Sequence, residues 1–179
     1  MACTRFSQSF PRACKQTPGI KKMWLANKSD ITTYAVNAAG DTVSGLTCSG
    51  ATGTNAAFYS IVFEKGVASI MDTPAINIQN SATAFKPQIQ GFLAGLDATA
   101  RAVFYQLTQT QLVAVVQTLD GLYYIAGLGN GLDLTSASWG TEAGADGKRG
   151  LSFTLEGLES APFYGIATAL TFETTYVVS

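Results

Sequence analysis

In several segments of the chain apolar and polar residues alternate with a period of two, the signature of half-buried β-strands. In LSFTLEGLE (151–159), Leu151, Phe153 and Leu155 take one face while Ser152, Thr154 and Glu156 take the other. AINIQ (75–79) sets Ile76 and Ile78 against Asn77 and Gln79, and Leu170, Phe172 and Tyr176 oppose Thr171, Glu173 and Thr175. Further strands are predicted over IKKMWLAN (20–27), TTYAV (32–36), TVSGLT (42–47), AFYSIVFE (57–64), QLVAVVQT (111–118), LYYIAGL (122–128) and the LDLTSAS return that follows GLGNG. Ala39-Gly40-Asp41 and Asp120-Gly121 lie between such runs and predict hairpin turns, because Gly and Asp tolerate the positive φ those turns need. KGVASIMD (65–72) is expected to return along 57–64, and Pro87 to break a strand over 86–93. CSGATGTN (48–55) and GTEAGADGKRG (140–150) have no periodicity and predict loops.

One segment changes period. After Asp97, a predicted N-cap, the run ATARAVFYQL places Ala100, Val103, Phe104 and Leu107 at i, i+3, i+4 and i+7. That spacing makes one apolar stripe of a surface helix. The fold class is therefore mainly β (α+β), with one flanking helix near 97–108. Residues 18–179 make a single β-rich domain, preceded by a basic N-terminal extension or arm, 1–17.

Composition narrows the chemistry. Hydrophobic residues are 47% of the 179 and charged residues only 13%, about half the usual ~25%. The chain is long enough for one real core and short for two domains. Its net charge of −1 excludes a bulk polycation. It is unevenly spread: residues 1–28 carry six bases and no acid, and 29–179 carry five bases and twelve acids. A basic end on an acidic body suggests head-to-tail self-association. There is no histidine, so Ser-His-Asp and Cys-His catalysis and His metal sites are excluded. Cys3, Cys14 and Cys48 are odd in number, match no zinc spacing and predict reduced thiols. No secretory or membrane-spanning run is found, so the chain is expected to be soluble and cytosolic at synthesis, with no membrane partner.

No motif for catalysis or cofactors survives inspection. GLGNG (127–131) lacks the third glycine of a dinucleotide fingerprint and precedes a strand, not a helix. ADGKRG lacks the Ser or Thr and the spacing of a P-loop. Glu156 and Glu159, three apart on a strand, point to opposite faces and predict ordinary surface charges, not a glycosidase pair. The chain is expected to be no enzyme and to hold no cofactor or metal.

The order of segments carries a resemblance. A PGIKKMWLAN opening leads into a β-rich half, a loop at 48–55 and the one short helix. QLVAVVQTLDGLYYIAGLGNGLDLTSA and then GLSFTLEGLESAPFYGI follow. This arrangement, over roughly 150 residues from Pro18, resembles tailed-bacteriophage tail tube proteins, whose fold injection devices and secretion systems share. The resemblance implies an antiparallel β-sandwich or barrel of the tail-tube type with one flanking helix near 97–108, and a structural virion protein, assembled in the bacterial cytoplasm and housed in the tail. It implies homo-oligomeric rings, usually hexameric, stacked into a tube whose inner sheets join into one barrel. Implied partners are other copies of the chain, the tape-measure protein, tail terminator and baseplate proteins, the sheath in contractile tails, and DNA in transit only. On this reading Asn77, Gln79, Ser152, Thr154 and Glu156 face the lumen. Lys21, Lys22, Cys48, Gly50, Gly53, Gly144, Lys148 and Arg149 make subunit or ring contacts. A wet face of small neutral groups suits a DNA duct, because rows of lysine would bind phosphate. The competing reading is a small-molecule or glycan-binding β-sandwich, with Tyr59, Tyr123, Tyr124, Trp139 and Tyr164 gathered into a pocket.

Overall fold

The computed structural model describes residues 18–48, 58–77, 82–95, 98–143 and 147–166. The predicted N-cap at 97, the arm 1–17, Cys3, Cys14, Gly50, Gly53, Gln79, Gly144 and the C-terminal alternation 170–176 lie outside them. The fold is mainly β, as the alternation predicts, with one helix. In chain order the strands are β1 (Ile20–Asn27), β2 (Ile31–Val36), β3 (Thr42–Cys48), β4 (Tyr59–Val62), β5 (Ser69–Asn77) and β6 (Ala82–Ala94). The helix α1 (Ala98–Leu107) separates these from β7 (Leu112–Thr118), β8 (Tyr123–Ala126), β9 (Leu132–Thr141), β10 (Arg149–Gly157) and β11 (Tyr164–Ile166).

All eleven strands belong to one open sheet folded back on itself. One leaf runs β4-β1-β7-β8-β11-β3-β2, the other β9-β10-β6-β5. A single paired position, Leu112 with Leu132, joins them. Every pairing is antiparallel except β11 with β3. The main core fills the space between the leaves. Met23, Leu25, Ala114 and Val116 from the first meet Ile89, Leu151, Phe153 and Leu155 from the second. Each fully buried Leu, Ile, Val, Met or Phe among them contributes roughly 1.5–3 kcal/mol.

The run LVAVV shows why β7 is the spine. All five of its residues are buried. Leu112, Ala114 and Val116 enter the main core, while Val113 and Val115 enter a second cluster with Trp24, Ile31, Val43, Leu46, Phe58 and Ile125. A strand covered on both faces has no use for a polar alternate, hence the continuous apolar run.

Both predicted hairpins form. Gly40 and Gly121 take φ of 77° and 86°, and Asn37 N donates to Thr42 O at 2.9 Å as Thr118 N does to Leu122 O at 2.9 Å. The helix presents its predicted stripe. Leu107 is in the main core, Val103 and Phe104 pack half-buried against it, and the Phe104 and Trp139 rings lie 6.0 Å apart. Ala100 lies on the same helix, its side chain outside the described set.

Two expectations need correction. The 65–72 segment does not pair with 57–64: β4 pairs with β1, and β5 crosses to the other leaf to pair with β6. Phe63 and Ala68, on either side of the 64–67 turn, both sink into the main core, so this turn joins the leaves instead of closing a hairpin. Pro87 does not break β6, which runs through it. The ladder to β10 stops at Gln88 and resumes as a bridge between Phe85 and Glu159. The missing proline N–H thus falls in a gap where no ladder bond is required.

Candidate functional site

The second leaf has one dry and one wet face. Its inward residues build the main core; the alternate ones form three cross-strand rows. Ser138, Ser152 and Phe92 make the first; Ser136, Thr154, Gln90 and Ser69 the second; Asp133, Glu156, Gln88 and Met71 the third. Register fixes these rows, because paired residues share a face. Ser152, Thr154 and Glu156, expected together, do form one file along β10. Asn77 pairs through its backbone with Ala82 at the far end of β5 and β6.

Amides tie the rows together. Gln88 Nε2 donates to Glu156 Oε1, and Gln90 Nε2 donates to Gln88 Oε1 at 3.3 Å. Asp133 sits directly across from Glu156, so two like charges face each other, an arrangement that costs stability. The donated amide hydrogen offsets part of that repulsion. Gln88, Gln90, Asp133, Ser136 and Ser138 were not singled out from the sequence. The alternation of Gln88 and Gln90 about Ile89 was the available signal, and Pro87 obscured it. The face is not free of lysine. Lys86 falls on it in register with Thr73 at one end, and Lys148 reaches over the Phe92 ring, 5.9 Å from its centroid, at the other. Between them the surface is neutral and acidic.

The expected contact residues do not form one group. Lys21 is exposed and Lys22 half-buried on β1, an interior strand between β4 and β7, where the Lys22 ammonium lies 4.7 Å from the Trp24 ring centroid. Cys48 closes β3; burial first, then the Asp30 charge, pushes its thiol pKa up, keeping it protonated at neutral pH. Lys148, just before β10, and Arg149, its first residue, are exposed. The 140–150 loop is shorter than its sequence suggests. β9 reaches Thr141, β10 begins at Arg149, and Glu142 N donates to Lys148 O at 2.9 Å.

Glu159 is no ordinary surface charge. It is 9% exposed, and its two carboxylate oxygens accept from Gly129 N and Asn130 N, each at 3.0 Å. A Cβ at Gly129 would stand 2.2 Å from Glu159 Oε2. Gly129 of GLGNG thus admits a carboxylate from the same chain.

The five aromatics proposed for a glycan pocket scatter. Tyr123 packs by Trp24, Tyr124 by Phe163, Trp139 by Phe104, Tyr164 by Tyr34, and Tyr59 is exposed on β4. Among the described residues, no cluster of three or more His, Cys, Asp or Glu side chains is arranged to hold a metal ion. No helix there is long and apolar enough to cross a membrane. Comparison with protein-family models, with curated proteins and with solved structures finds no match.

Proposed function

We propose that the protein is a structural subunit that joins copies of itself into stacked rings around a channel, as in the tail tubes its sequence resembles. The observation that carries this reading is the β9-β10-β6-β5 leaf, with one face in the core, a wet face of hydroxyls, amides and two carboxylates, and two long edges. Edge strands of monomers are usually short or guarded by charge, proline or bulges. Here β5 carries Pro74 and one acid, Asp72, whose Oδ2 is turned to accept from Phe163 N at 3.0 Å. β9 has no charged residue from Leu134 to Thr141. Apart from the single Leu112 position, neither outer edge has a strand partner among the described residues.

Four antiparallel strands leave β5 and β9 running in opposite directions. Rotation about an axis along the strands then brings β9 of one copy antiparallel to β5 of the next. Repeated, the operation closes a barrel and removes both edges. The bore is lined by the wet face, because the first leaf of each subunit occupies the other. Such a lining releases few counterions from a passing phosphate backbone, so DNA slides and does not lodge. On this reading the protein belongs to a virion tail and meets tape-measure, terminator and baseplate proteins. Negative-stain imaging of the concentrated protein tests it: rings or tubes with a stain-filled centre are expected, and discrete single subunits at every concentration contradict it.

A further inference from the structure

At one end of the wet face the side chains shrink. Gly150 pairs with Gly140, and Ser152 with Ser138. These four small residues leave a hollow of about 110 Å³, walled by Phe92, Thr141, Glu142 and Lys148. Lys148 precedes β10, and its ammonium lies back over the Phe92 ring on β6. The Ser138 and Ser152 hydroxyls, facing each other across the ladder, make no hydrogen bond to another described residue. Thr141 Oγ1 donates to Glu142 O at 3.2 Å. One ammonium and two uncommitted hydroxyls therefore border one hollow of polyatomic-ion size.

We infer that this hollow is a phosphate-group site. Donors without acceptors, one of them cationic, match an oxyanion. Glu142 lines the same hollow and opposes an anion, but one of its carboxylate oxygens accepts from Lys148 N at 3.1 Å. It sets the affinity low, so the site catches and releases instead of holding. The inference concerns a single subunit. A role in passing DNA rests on the channel reading; the binding itself does not.

The test is amide-resolved NMR titration of the whole protein, once with inorganic phosphate and once with a short DNA duplex, against matched chloride. Saturable shifts at Ser138, Thr141, Lys148 and Ser152 are expected with phosphate and not with chloride. Lys148→Gln should weaken binding about tenfold and Glu142→Gln should tighten it, as charge removal near an ion does. Lys65→Gln, an exposed change outside the hollow, should do neither. Saturation by the duplex at the same residues assigns the site to a nucleic-acid backbone; saturation by inorganic phosphate alone assigns it to the free ion. Absence of saturable shifts, or equal binding by Lys148→Gln, overturns the inference. The titration is run below the concentration at which copies assemble, so it fails separately from the channel reading.

Discussion

Single residues in this protein act through backbone groups as much as through the core. Glu159 receives two consecutive amides of the 129–130 turn, and its own N and O pair with Phe85, each at 2.8 Å. It ties the β8–β9 connection to the end of β10. Glu159→Ala should cost roughly 1.5–3 kcal/mol, the range for hydrogen bonds to a charged acceptor, read from the midpoint of urea unfolding. A loss below about 0.5 kcal/mol would mean that water replaces the carboxylate without penalty. The sequence did not disclose this residue. Its spacing from Glu156 showed that the two diverge, but only the folded chain brings it thirty residues back to Gly129. Gly91 was equally silent. A Cβ there would stand 2.7 Å from the Phe153 ring and 2.8 Å from the Phe63 ring, two rings that close over the glycine in the core.

Elements were the most legible scale. Period-two alternation marked β10, β-rich runs bounded by turn signals marked β1, β2, β3, β7 and β8, and the change of period marked α1. Pairing was less legible, because alternation says which face is wet and not which neighbour lies alongside. The 63–68 turn carries the same local signals as a hairpin and differs only in sending Phe63 and Ala68 inward. On the helix, Phe104 is half-buried, so Phe104→Ala should cost about 2–3 kcal/mol, below the roughly 3–5 kcal/mol of a full core site. Denaturant titration checks this, and a loss under about 1 kcal/mol would make the helix peripheral. The β2–β3 turn has a pH signature. Asn37 Nδ2 donates to Asp41 Oδ1 at 2.7 Å and Thr42 Oγ1 to the same oxygen at 2.9 Å. These two bonds, Asn37's first, hold the Asp41 pKa below that of an ordinary aspartate. A depressed folded pKa stabilises the turn above the unfolded value, and the contribution is lost as pH falls through the folded one. Carboxyl NMR titration should place Asp41 below an unfolded-state aspartate, with local loosening only in that acid window. Asp41→Asn should remove the window.

At the scale of the whole molecule, the sequence conveyed class and not closure. A sandwich or barrel was expected; the two leaves of one open sheet, packed on a shared core, are consistent with a sandwich, and that openness bears on function. An open leaf whose outer edges have almost no strand partner among the described residues, with a wet, weakly charged face, is costly for a monomer and suits the proposed ring member. Low charge content, legible from composition, agrees with surface that other copies cover. Neither edge was legible, because β5 and β9 become edges only through the pairings between them. The most direct measurement is sedimentation velocity across a concentration series, comparing the native chain with Met71→Lys/Ala137→Lys. Both positions are exposed, one on each edge strand, and edge lysines block strand addition. The native chain should sediment as closed rings and stacks that grow with concentration, while the double variant remains folded and monomeric. A native chain that stays monomeric throughout the series, or a double variant that assembles as the native chain does, would contradict a channel built by joining β9 to β5.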